Sequence, residues 1–572
     1  MKRQLLLFIH LLPALLFAQQ EVIFPDDFKT NALDGKEVTI TNTLTLTNNY
    51  SYAYGSITLS EGPLWTPTEK NLPGVEMFNQ KNKENQDNQI TVKQGVYSFT
   101  DANGTCRIGQ TVAKLTGTAS YSNGKYTITL TKKPEFQGNE RPITCEIEED
   151  YNLKVVSFNV ENYKGTNDVQ RTKIVAALKA MDADIYALLE VFGNSSLNDL
   201  CNALNTACQT DQYKYIENST ANQGMACFIY NSNTVTPFRD LQKNKLADNG
   251  YLPDRKIAQA FDLKANNERF IVCLNHWKAK DNSYNKPDEY ADTGDGQGSH
   301  VLRRVHEAEA TLEFIKTVTA YFEDEDVLIV GDLNSYSKED PIRVLEEGEL
   351  INELQKYAPN EYSYAFFSNN SYATGYLDHS FATATLDAQI RYAHPFHINA
   401  DEPDALKIGG KPQEDNMYRC SDHNPIVTFI KLGTTTGIEN PSSSHPTIQL
   451  IGDPRNGYLT LVNNTDLAIT RAEIVNISGQ IIAAYDTNNA GNTKHFTLPV
   501  KSLACGFYLL RVYDTQSRYT TCKVVLPLNL TKLSQYKFES NSILNEILYS
   551  PECHRLYSSI CNIWSDKVWH LV

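Results

Sequence analysis

VLIVGDLNSY (residues 327–336) runs four apolar β-formers into a glycine and then sets an Asp and an Asn two positions apart. The apolar run predicts a buried strand. Residues two apart on an extended chain point the same way, so Asp332 and Asn334 can converge on one point. Taken alone, the pair is equally well a turn followed by a helix cap, a reading that Ser335 and Pro341 favour.

Other segments of the same region also end strands on polar side chains. VVSFNV leads to Asn159 and then Glu161, and DIYALLEV (184–191) places Glu190 near its end. FIVCLNHW brings His276 to a strand exit. TGYLDHSF carries Asp378 and His379, and RCSDHNPIV carries Asp422 and His423 just before an apolar strand. Each has a bland reading, as a solvated terminus or a structural histidine. Together they favour a site, because independent strand ends would not all choose hard oxygen ligands and imidazoles. Strand ends on one edge of an α/β sheet are where ligands usually sit.

Between these segments, RTKIVAALKAM (171–181), NDLCNALNTA (198–207) and RRVHEAEATLEFIKTVTAYF (303–322) have helical spacing. The alternation predicts a mixed α/β layered domain over 151–432. Residues 21–150 differ in texture. VTITNTLTLT (38–47) and KYTITLT (125–131) alternate strictly, no helical period stands out, and a small all-β domain is expected. GTTTGIENPSSSHP (433–446) is a polar linker, and short alternating strands return over 447–527, the pattern of a β-sandwich. Residues 528–572 fit none of these patterns. A chain of 572 residues is expected to hold about three or four domains.

The first residues, MKRQLLLFIHLLPALLFAQQ, have a charged end, a short apolar run and small Ala18, so a signal peptide is expected over 1–18. The run is too short to span a bilayer, and no later segment approaches spanning length. Eleven cysteines suit an oxidising compartment. Cys201 with Cys208, Cys505 with Cys522, and Cys106 with Cys145 are the pairings that spacing suggests, while Cys227 and Cys273 lie in apolar strands as thiols or half-cystines. A net charge of -16 argues against electrostatic coating of nucleic acid. An acidic chain can still cleave a polyanion where a divalent metal supplies local positive charge.

With SFNVEN, DIYALLEV, NHWKAK, VGDLNSY, YLDHSF and SDHNPIV in this order, the region 151–432 resembles the endonuclease/exonuclease/phosphatase superfamily, which includes DNase I-like nucleases. DGQGSHVLRRVHEAEA (294–310) is similar to a segment of its secreted bacterial nuclease branch. The resemblance implies a DNase I-like four-layered α/β sandwich. It implies Glu190, assisted by Asn159, as ligands of Mg²⁺ (with Mn²⁺ or Ca²⁺ as alternatives), and Asp422 as a second acidic group on the metal side. It further implies that Asp332 and Asn334 position water and phosphate. His423 is then the catalytic histidine oriented by Asp378, His276 a second histidine near the phosphate or the leaving oxygen, and Arg255 a phosphate contact.

Residues 108–131 are similar to the OB-fold modules that precede catalytic domains of secreted nucleases, which makes 19–150 an OB-like β-barrel. Tyr121, Tyr126 and Lys114 are its candidate nucleic-acid contacts. Residues 450–527 resemble the C-terminal sorting domain of type IX secretion, implying export through that machinery. Such domains end near a strand like CKVVLP, and the residues beyond 527 depart from the pattern. The expectation is a monomeric, secreted or surface-held nuclease acting on DNA and possibly RNA. The rivals are a lipid or sugar phosphodiesterase or phosphatase of the same fold, which the aromatic stretch 362–376 keeps open, and a binding protein on an inactive scaffold.

Overall fold

The computed structural model describes residues 20–219, 223–246, 252–281, 290–368, 371–410 and 415–433, and a discontinuous set of strands between 448 and 526. The expected signal peptide, almost all of the linker, Cys505 and the segment 528–572 lie outside the described residues. Two compact units part after residue 437.

Within the first unit, strands alternate apolar faces between two environments. Leu153 and Val155 of strand Leu153–Tyr163 face a second sheet, while Val156, Phe158 and Val160 lie under helices. Such a strand is apolar on both faces, the pattern of an internal layer. Its sheet has six strands, in the order Tyr213–Ile216, Gly224–Asn231, Ile185–Phe192, Leu153–Tyr163, Ile426–Ile430 and Ile390–Pro395. The facing six-stranded sheet runs Val235–Lys243, Lys256–Leu263, Arg269–His276, Val327–Asp332, Asp378–Ala382 and Ile351–Asn352. Helices Asp168–Met181 and Gly193–Cys208 cover the outside of the first sheet, and Val301–Phe322 and Asp340–Glu347 that of the second. The result is the expected four-layered α/β sandwich. Each fully buried Leu, Ile or Val in its core contributes on the order of 1.5–3 kcal/mol.

Register then aligns the site. His276 pairs with Asp332 across a parallel ladder, and Asp332 pairs with Asp378 across an antiparallel one, so three polar residues stand abreast on neighbouring strands. Gly331 permits this, because its φ is +133° and a Cβ there would lie 1.9 Å from the Asn275 carbonyl oxygen.

The N-terminal region builds a curled sheet. Glu37–Ile40 is followed across it by Leu115–Ser122, Lys125–Leu130, Ile90–Lys93, Ser56–Ser60 and Leu44–Asn48; Lys125–Leu130 and Ile90–Lys93 pair in parallel, as do Gln20–Val22 and Glu37–Ile40. Short strands extend it at both edges, Gln20–Val22 beside Glu37–Ile40, and Thr111–Val112 and Phe136–Gln137 beside Leu44–Asn48. Because Glu37–Ile40 and Leu44–Asn48 are joined through residues 41–43, the strands between them curl into a small barrel around one core. Tyr126 is buried in that barrel, donates to the Thr30 carbonyl and accepts from Leu33 N–H, so it serves the core and not a binding face. A 13-residue helix, Val75–Asp87, stands where no helical period was legible. It buries no residue fully and is stitched by Lys83–Asp87 and Lys81–Glu84 pairs, so it carries no apolar stripe to read.

The expected pairings Cys201–Cys208 and Cys106–Cys145 do not form, and all four are free thiols, as are Cys227, Cys273 and Cys420. Cys201 and Cys208 share helix Gly193–Cys208, where seven residues separate them by about 10 Å, beyond disulfide reach. Cys106 packs into the barrel core, whereas Cys145 packs in the α/β layers beside His394.

The second unit is a β-sandwich. A three-stranded sheet (Ile448–Ile451, Tyr458–Asn463, His495–Pro499) and a four-stranded one (Ile481–Asp486, Ile469–Asn476, Gly506–Asp514, Tyr519–Leu526) share one apolar core that includes Leu461, Ile474 and Leu510.

Candidate active site

Two β-bulges open the first sheet where its polar residues lie. Pairing of Leu153–Tyr163 with Ile185–Phe192 shifts between Asn159 and Tyr163, and Glu161, Asn162 and Glu190 adopt left-handed backbone angles. Bulges re-aim side chains at sheet edges. Here they turn Asn159 and Glu190 toward the facing sheet. The Asn159 amide nitrogen donates to Glu190 Oε1 and Asp332 Oδ2, each at 3.2 Å, and so bridges the two sheets. Glu190 Oε2 accepts from Asn162 N–H at 3.0 Å.

On the other side of this bridge, His423 Nδ1 donates to Asp378 Oδ2 at 2.7 Å, and both groups are buried. His423 Nε2 stands 3.9 Å from Asp332 Oδ2 and 4.0 Å from Asp422 Oδ1. Burial opposes charge on His423, but Asp378, Asp422 and Asp332 outweigh it and hold its pKa well above the ordinary imidazole value. Asp332 moves the other way. Burial pushes its carboxyl up to about 7, with His423 pulling it down and Asp378 reinforcing the rise.

His276 points Nε2 at Asp332 Oδ2 (3.6 Å) and Glu190 Oε1 (3.8 Å). Burial, with Arg255 and His423 adding to it, keeps this imidazole neutral, and its buried Nδ1 has no hydrogen-bond partner. Asn334 is fixed by its N–H to Asp332 Oδ1 (3.0 Å) and its amide to the Trp277 carbonyl (3.1 Å). Arg255 donates from Nε to the Gly224 carbonyl at 3.2 Å and lies near enough to His276 to oppose its charge.

The nine residues expected from sequence therefore assemble into one constellation across the ends of both sheets. Two more join it. Glu161 sits with Asp422 and Glu190, and burial followed by Asp422 raises its carboxyl to about 7. Its place in SFNVEN was legible, but its backbone reversal was not. The Tyr364 ring lies 4.6 Å from the His423 ring and 6.3 Å from Phe366, which is exposed on the hairpin Tyr364–Ser368/Ser371–Gly375. The aromatic stretch was visible in sequence, but nothing in it pointed to a histidine some sixty positions away.

The donor set has two parts. Glu190, Asn159, Asp422 and Glu161 supply hard oxygen atoms, and the crowding that raises Glu161 is what a divalent cation relieves. Asp332, Asp378 and His423 also stand within ion-holding distance, their donor atoms within 4.8 Å of one another. In that group the His423–Asp378 hydrogen bond already uses two of the three donors.

Residues 156–423 match the model of the Endonuclease/Exonuclease/phosphatase family. Its members are hydrolases of the phosphoesterase kind. Residues 452–526 match the Secretion system C-terminal sorting domain, which makes this protein a secreted or cell-surface one of the type IX route. Among the described residues no helix is long and apolar enough to cross a membrane.

Solved structures similar to the chain include a Bacteroides thetaiotaomicron mannosyl-6-phosphatase at 16% identity, covering 48% of this chain and 98% of that one with a TM-score of 0.34. The human Nocturnin catalytic domain with bound sulfate matches at 14% identity, 48% and 93% coverage and a TM-score of 0.33. Danio rerio TDP2 complexed with single-strand DNA product matches at 14% identity, 48% and 97% coverage and a TM-score of 0.33. No curated protein matches the chain.

Proposed function

We propose that this protein is a secreted, Mg²⁺-dependent nuclease that hydrolyses phosphodiester bonds of extracellular DNA, with RNA as a second substrate. The observation that carries the reading is the buried His423–Asp378 pair facing Asp332 and Asn334, with an all-oxygen acidic cluster alongside. A phosphodiester already bears negative charge, so attack by water requires that its oxygens be neutralised. Mg²⁺ held by Glu190, Asn159 and Asp422, with Glu161 beside them, would supply that charge stabilisation.

The remaining steps fall to the chain's own groups. Asp332 and Asn334 orient the water, and the proton affinities favour Asp332 as its proton acceptor. His423, charged and oriented by Asp378, binds the phosphoryl group and returns a proton to the leaving oxygen as the P–O bond breaks. Neutral His276 donates Nε2–H to a phosphoryl oxygen, and Arg255 adds a cationic contact. The barrel, read as the OB-like module that the sequence suggests, supports a nucleic-acid substrate, because such modules track single strands. So does the Tyr364–Phe366 pair beside His423, which offers a stacking face to a base.

Substrate class is tested by offering the full chain supercoiled plasmid, linear DNA, RNA, a sugar phosphate and a phosphodiester lipid, each with Mg²⁺ and with chelator. Metal-dependent cleavage of nucleic acid upholds the reading. Hydrolysis confined to the lipid or sugar phosphate replaces the substrate while keeping the site. No hydrolysis by folded, metal-supplied protein points to the binding scaffold.

A further inference from the structure

The segment GPLWTPTEK (62–70) leaves the barrel between strands Ser56–Ser60 and Ile90–Lys93 and lands on the α/β layers. It pairs there through backbone bonds, Thr66 N–H to the Thr374 carbonyl (2.9 Å) and Thr374 N–H to the Leu64 carbonyl (3.0 Å). Glu69 follows, in the short helix Pro67–Lys70, and is only 1% exposed. Its Oε1 accepts from Ser337 Oγ at 2.7 Å, and its Oε2 accepts from Tyr376 N–H at 3.0 Å and Ser337 N–H at 3.3 Å. The neighbouring Thr68 hydroxyl donates to Glu339 Oε1 at 2.9 Å, and Lys338 N–H donates to the Thr68 carbonyl at 3.0 Å.

The two stretches that Glu69 joins are those that carry the chemistry. Ser337 lies three residues beyond Asn334, and Tyr376 two before Asp378. They meet again at Leu333 N–H to the Leu377 carbonyl, 2.9 Å. The DGQG motif serves the same junction. Gly296, at φ +97°, lets helix Val75–Asp87 close, since a Cβ there would lie 2.6 Å from the Phe78 ring and 2.8 Å from the Thr68 methyl. Gln297 binds Asp340, and Arg304 reaches Ser335 Oγ at 3.2 Å. Nothing in the hydrolytic constellation uses Glu69, yet a buried carboxyl with three donors is costly to place without a purpose.

We propose that Glu69 is a positioning residue of the catalytic site. It ties the exit of strand Val327–Asp332 to the approach of strand Asp378–Ala382, so that the N-terminal region completes the site from outside the family domain. The proposal rests on the hydrolytic reading of that site. Burial raises the Glu69 carboxyl to about 7, with its bonds to Tyr376 and Ser337 opposing the rise, so a neutral amide of the same shape is a fair replacement. In Glu69→Gln the carbonyl oxygen accepts both N–H groups, and the NH₂ donates to the Ser337 hydroxyl.

The test uses the full chain with Mg²⁺ and bis(p-nitrophenyl) phosphate. It also follows the proton resonance of His423 Nδ1–H, assigned by its loss in His423→Ala. Glu69→Ala is expected to lower kcat about ten- to hundredfold with KM within about twofold, and to displace that resonance. Glu69→Gln is expected to restore kcat to within about threefold of the wild type. If Glu69→Ala does not fold, Ser337→Ala cuts the tie from the other side and is expected to shift kcat and the resonance in the same direction. Wild-type kcat in the Ala variants, or an equal fall in Glu69→Gln, would overturn the proposal. A wild type that hydrolyses no phosphoester defeats the functional reading alone, because a displaced His423 resonance in Glu69→Ala still upholds the tie and an unmoved one still refutes it.

Discussion

At the scale of single residues, function turns on how Asp378, His423 and Asp332 divide charge. Asp378 stabilises the imidazolium of His423, so removing its charge lowers the histidine's pKa. In the proposed mechanism activity rises as Asp332 loses its proton near 7 and falls as His423 loses its own at higher pH. Asp378→Asn is therefore expected to carry the alkaline limb of the kcat profile to lower pH by at least about one unit, and the acid limb the same way, since Asp378 also raises Asp332. A pH–rate profile of the two proteins checks this, and an unmoved alkaline limb would remove Asp378 from its orienting role. Sequence reached this far because the residue types are chemically unusual for strand ends. It did not reach Glu161's partnership with Asp422 or Tyr364's contact with His423, since both depend on backbone reversals and packing that leave no local pattern.

Elements were legible where an apolar stripe or strict alternation existed. The central strands and long helices of the α/β layers have one, because each buries a face between layers, whereas the edge strand Val235–Lys243 does not and was not read. Helix Val75–Asp87 has none and was missed, although it docks the barrel onto the catalytic layers through Phe78 and Gly296. Gly296→Ala forces a Cβ against that ring in a left-handed backbone, and is expected to destabilise the main unit by about 1–3 kcal/mol, read as a lowered unfolding midpoint. Cysteine spacing misled for an elementary reason: two cysteines seven apart on one helix are held apart by it. With seven free thiols in the first unit, reductant is expected to leave that unit's melting transition unchanged, and a fall in its Tm on reduction would contradict the structure.

Across the molecule, the barrel and the α/β layers share one compact unit, and buried charge joins them. Arg107, fully buried, pairs with Glu402 and donates to the His397 carbonyl at 2.7 Å, while Asn49 donates to the Asp401 carbonyl at 2.8 Å. Arg107→Ala leaves Glu402 with Arg141 alone and takes a donor from the His397 carbonyl, so it is expected to cost about 1–3 kcal/mol in denaturant unfolding. The same network predicts a pH dependence. Burial opposes the His397 charge, but Asp401 and Glu361 raise its pKa to about 9. A group raised above its unfolded value stabilises fully below about 6.5 and loses that contribution as pH climbs through 9. His397→Gln is expected to flatten the decline in stability over this window, as measured by unfolding at several pH values.

The hydrolytic site is tested most directly by the metal-dependent nicking rate of supercoiled plasmid by the full chain and its His423→Ala variant, measured side by side. A rate abolished by chelator and lowered about 10²–10⁴-fold by the substitution, with melting unchanged, is the predicted result. Equal rates in the two proteins would show that the chemistry lies elsewhere.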